Sequence, residues 1–160
     1  MNQETRDLLD SFSDIIRQLT VLTGQLSQVE EAKAEAASEK RHELLDGFIQ
    51  KEQAQLLKLR GLEQHRMKLA KNLGWDSLTF RQILDRADSQ QREVLLPLFT
   101  ELEQQLNRLI QSRKASEHII NVRIHEIETL IALQEGSSYA PSRSVSVSAP
   151  SRPKMKDTYG

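Results

Sequence analysis

Apolar residues recur along the first thirty positions in alternating steps of four and three: Leu8, Phe12, Ile15, Leu19, Leu22, Leu26 and Val29. That alternation averages roughly 3.5 residues, the period at which a helix presents one seam to a partner helix. From Gln3 to Leu73 only Gly24, Gly47 and Gly61 weaken a helical reading, proline is absent, and Glu30 to Glu43 is rich in Ala, Glu, Lys and Arg. A single helix over this range would be about 105 Å long and would leave its seam in water, so the pattern predicts a break and a hairpin. Ala37-Ser38 and Asp46-Gly47 are the candidate breaks, the second having the better turn chemistry.

A second stripe, Leu45, Phe48, Ile49, Leu56, Leu59, Leu62, Leu69 and Leu73, predicts the returning helix, with Gly74 able to stop it in a left-handed conformation. Leu78-Thr79-Phe80-Arg81-Gln82-Ile83 has the residues of a capping box and a hydrophobic staple, and opens a short helix to about Arg86. Asp88-Ser89-Gln90-Gln91 repeats that capping logic and opens a last long helix to about Gln134, with a bend expected early at Pro97. Its stripe has two parts, Leu95, Phe99, Leu102, Leu106 and Leu109, then Ile119, Ile120, Ile124, Ile127, Leu130 and Ile131. The polar run Gln111 to Ser116 separates them, so one helix is expected to serve two different partners. Trp75 and Phe80 are expected to pack beneath the short helix.

Beyond Gly136 the composition turns to Ser, Pro, Val and Arg, which cannot bury enough apolar surface to offset ordering entropy. The expected organisation is therefore all-α: a long antiparallel helical hairpin or bundle of three long helices and one short over residues 1–135, with a disordered tail over 136–160. Arg143, Arg152, Lys154 and Lys156 against Asp157 make that tail basic and leave the helical part acidic.

Composition removes several classes of function. A net charge of -1 lacks the electrostatic footprint needed to neutralise many phosphates, so no nucleic-acid partner is expected. The absence of cysteine excludes a disulfide scaffold and thiolate metal sites. The first ten residues carry Glu4, Asp7 and Asp10 and lack a secretory pattern, and no stretch approaches the roughly 18 apolar residues of a membrane span.

Candidate chemistry is sparse. Glu39-x-x-His42 has the spacing of a di-iron ligand pair but occurs once where such a site needs two, so both residues are expected on the solvated surface. His118 and His125 share a face of the last helix without a third ligand marked by the sequence. Leu78 to Leu84 could open a helix-turn-helix, but no basic recognition helix follows. There is no nucleophile elbow and no glycine-rich phosphate loop, so neither an enzyme nor a metal or other cofactor is expected. What remains is the apolar run Ile119 to Ile131, which can form one wall of a groove for a foreign helix.

Three stretches carry a family resemblance: Leu59-x-x-Leu62-Glu63-Gln64-x-Arg66 followed by Leu73-Gly74, the Ile119-Ile120-x-x-x-Ile124 run, and the closing Thr158-Tyr159-Gly160. On these the chain resembles the FlgN-type flagellar export chaperones, with Arg113 and Ser116 where members often carry a pair of asparagines. The resemblance implies a cytoplasmic chaperone of flagellar type III export that holds the C-terminal helices of the hook-associated proteins FlgK and FlgL and prevents their premature assembly. It implies client binding through Ile119, Ile120, Ile124, Ile127, Leu130 and Ile131, and docking on the export-gate protein FlhA through Tyr159. The competing reading is a structural coiled-coil adaptor whose stripes are consumed in self-association.

Overall fold

A computed structural model describes residues 1–135, all of whose regular elements are helical. Helix α1 spans Gln3–Ser38, with the Asn2 side chain accepting from the Thr5 amide at 2.8 Å. A single 3₁₀ turn, His42–Leu44, leads into α2, Leu45–Asn72. Helix α3, Phe80–Arg86, is short, and α4 runs from Ser89 to Glu135 without interruption at Pro97. Among the described residues no helix is long and apolar enough to cross a membrane.

The hairpin turns at the first candidate break, not at Asp46-Gly47. After Ser38 the chain is pulled round by hydrogen bonds from Lys40 N to the Ala37 carbonyl and from Arg41 N to the Ala36 carbonyl, at 3.2 and 2.8 Å. Lys40 adopts a left-handed φ of 60° to make this turn. Asp46 and Gly47 lie instead in the first turn of α2, where an acidic side chain complements the positive end of the helix dipole. The turn residues of Asp46-Gly47 were thus outweighed by the packing of Ala36 and Ala37, both buried.

The other boundary signals act as their chemistry requires. Gly74 takes a φ of 83° after α2. Thr79 accepts from the Gln82 amide while Gln82 accepts from the Thr79 amide, and Asp88 and Gln91 repeat the exchange at α4. These reciprocal bonds satisfy amides that the first helical turn leaves free.

Internal contacts divide the chain into two units, 1–118 and 119–160, with the division inside α4. In the first unit α1 and α2 are antiparallel, and α4 runs alongside α1 in the same direction, so that Phe12 meets Phe99 and Glu30 meets Ser116. Phe12, Ile15 and Leu19 of the α1 seam, joined by Leu9 and Ile16, pack with Leu69, Trp75, Ile83, Leu95 and Phe99, while Leu8, expected in the seam, is only partly buried against them. Phe12 stands edge-on to both Trp75 and Phe99, at centroid distances of 5.5 and 6.2 Å, while Phe80 stacks flat on Phe99 at 4.3 Å. Arg66 lies 5.7 Å over the Phe80 ring. Further along α1, the buried hydroxyls of Thr23 and Ser27 donate to carbonyls one turn earlier, so they occupy the seam without an unsatisfied donor.

Candidate functional site

The two parts of the α4 stripe meet different fates. Leu95, Phe99 and Leu102 are buried in the first unit, Leu109 is half-buried and Leu106 is exposed, whereas no residue from Ile119 to Gln134 is buried. A polar junction separates the two stretches. Ser116 is fully buried and donates to the Glu30 carboxylate, itself only 1% exposed. Lys33 bridges Glu30 and Glu52 at 3.2 Å each, tying α1 to α2 at the same level. Just outside, Arg108 and Ser112 of α4 donate to Glu31 at 2.9 and 3.1 Å. Sequence reasoning did not single out this junction. Its signal was a coincidence of polar positions, Glu30 and Lys33 where the α1 stripe ends and Ser112 and Ser116 where the α4 stripe is broken. Ser116, at one of the two asparagine places of the resembled family, is thus a buried hydrogen-bond donor here.

The Arg108 guanidinium holds the Glu31 carboxyl below its usual range; desolvation, the next largest effect, opposes it, and the Ser112 hydroxyl lowers it further. A lowered folded-state pKa adds stability above the ordinary carboxylate pKa and loses it as pH falls through the folded value. The pair is half exposed, so solvent screening keeps the effect small. Glu31→Gln is therefore expected to lower the urea midpoint slightly at pH 7 and to leave it equal to wild type near pH 2, measured by circular dichroism.

In the second unit Ile120, Ile124, Ile127 and Ile131 follow steps of four, three and four, which places them on one face of α4, with Ile119 and Leu130 beside it. Ile119 and Ile120 are half-buried, while Ile124, Ile127, Leu130 and Ile131 are 49, 42, 62 and 39% exposed. Leu133, which the sequence reading omitted, is 75% exposed. Arg123 and Glu126 form an ion pair at 2.6 Å on the same helix. Together these residues form a continuous apolar strip with a polar border, a surface able to pack against another amphipathic helix. Tyr159 and the whole of 136–160 lie outside the described residues.

The sites weighed for metal chemistry do not come together. Glu39 and His42 are exposed, as are His118 and His125, and no group of three ligating side chains occurs among the described residues. Comparison with protein-family models, with curated proteins and with solved structures finds no match to this chain.

Proposed function

We propose that the protein is a cytoplasmic export chaperone of the FlgN type, covering the C-terminal helices of FlgK and FlgL with the apolar strip of α4 and presenting them to FlhA. The observation that carries this reading is the exposure of Ile124, Ile127, Leu130 and Ile131 on a helix that buries Leu95, Phe99 and Leu102 of its earlier stripe. Subunits destined for a filament expose apolar helical faces before assembly, and a complementary helix masks them. Ordering of the client end on binding lowers the net affinity and favours release at the gate. Tyr159, beyond the helices, supplies the contact with FlhA in this reading.

The test is capture of purified FlgK and FlgL by a variant carrying Ile120→Ser, Ile124→Ser and Ile127→Ser. Each lost aliphatic contact removes about 1–1.5 kcal/mol of burial, so affinity is expected to fall by about a hundredfold or more. Helicity and FlhA binding should be retained, because these side chains are outside the core of the first unit. Unchanged capture would exclude the strip as the client surface. Loss of a homodimer in the same variant, with no client bound by the wild type, would favour the coiled-coil adaptor instead.

A further inference from the structure

A second surface, independent of α4 and of the export reading, lies along the crevice between α1 and α2. Two cavities of about 450 and 220 Å³ lie along it, with Gln25 lining both. Val29, Ala32 and Phe48 line the larger cavity together with Gln25, Gln28 and Gln55, and Leu22 and Val21 line the smaller with Gln18; Leu22 and Val29 lie buried at the bottom, while Val21 is 61% exposed. The rim is cationic: Lys51 and Lys58 stand seven residues apart on α2, with Arg17 opposite on α1. Among the described residues none of these three cations has an ion-pair partner, and no carboxylate lines either cavity. Gln55, also on the wall, has a buried amide oxygen with no hydrogen-bond partner.

We propose that this groove receives an amphipathic helix of a partner protein that carries acidic side chains seven residues apart along one edge. An apolar floor with one sign of charge on its rim selects an aliphatic stripe bordered by carboxylates. Lys51 and Lys58 are two helical turns apart, about 10.5 Å, which a helical partner matches with acids at the same spacing. Both walls are helices whose backbone bonds are closed within themselves, so they offer no strand edge to an extended peptide. A third helix lying in the crevice between two antiparallel helices instead continues the packing already used by the fold. A nucleic acid would satisfy the cations but leave the aliphatic floor uncovered.

Two synthetic helical peptides test this, sharing one leucine stripe and differing only in edge residues seven apart, Glu in one and Lys in the other. By fluorescence anisotropy the full chain is expected to bind the Glu-edged peptide about tenfold more tightly, since two rim pairs turn from attraction to repulsion. The difference should shrink in 1 M salt. The double variant Lys51→Glu and Lys58→Glu changes only exposed side chains, should fold normally, and should reverse the preference. The variant with serines at 120, 124 and 127 should keep wild-type affinity for the Glu-edged peptide, which separates this groove from the α4 strip. Equal affinity for the two peptides, an unreversed preference in the double variant, or loss of binding in the serine variant would each overturn the proposal. So would a homodimer of the free chain that the double variant dissociates, because a second copy would then be the occupant.

Discussion

Phe12→Ala is expected to destabilise the protein by about 4 kcal/mol, the middle of the range for deleting an aromatic side chain from a close-packed core. Phe12 is fully buried and is the point at which three elements meet: its ring touches Trp75 from the loop after α2 and Phe99 from α4. Truncation removes both edge-on ring contacts and leaves a cavity that the surrounding elements cannot close without losing their own contacts. Urea denaturation followed by circular dichroism should show a lower midpoint, and Trp75 fluorescence should report the same transition because the indole packs on the deleted ring. Leu57→Ala on the exposed side of α2 serves as a control, since Leu57 is 68% exposed and loses little burial.

Lys33→Met is expected to cost about 3 kcal/mol for a different physical reason. The ammonium lies between Glu30 and Glu52, and removing it leaves two carboxylates facing each other with Glu30 almost wholly enclosed. Breaking one member of a buried charge group leaves an uncompensated charge, which is far more costly than the group is stabilising as a whole. The contrast is therefore informative. Replacing Glu30, Lys33 and Glu52 together by Leu, Met and Leu, with Ser116→Ala to remove the hydroxyl that loses its carboxylate partner, should restore stability to wild-type level or above. A Lys33→Met variant that is neutral in urea denaturation at pH 7 would show that the enclosed charge group does not depend on its ammonium for stability.

Much of the architecture was legible because local signals and long-range pattern agreed. The seam from Phe12 to Val29 became the core, Gly74 became the left-handed stop, and Thr79 with Gln82 formed the expected cap. The hairpin position was not legible, because Asp46-Gly47 has ordinary turn chemistry and only the packing of Ala36 and Ala37 decides against it. The charged junction was also hidden. A glutamate such as Glu30 at the end of an apolar stripe reads as solvated surface until the fold brings Lys33, Glu52 and Ser116 to it. For the α4 strip the sequence showed two apolar stretches but not which of them the protein would keep for its own core. That choice depends on how far along α4 the α1 and α2 side chains reach, and the junction at Ser116 lies beside the point at which α4 passes from the first unit to the second.

The central claim, that Ile119 to Ile131 receives a client helix, is tested most directly by methyl NMR on isoleucine-labelled protein titrated with the C-terminal helical segments of FlgK and FlgL. The expected result is a saturable shift of the Ile120, Ile124, Ile127 and Ile131 methyl signals, with Ile15, Ile16 and Ile83 in the core unmoved. Signals of the α4 isoleucines that stay in place while either client segment binds elsewhere, or fails to bind at all, would contradict it.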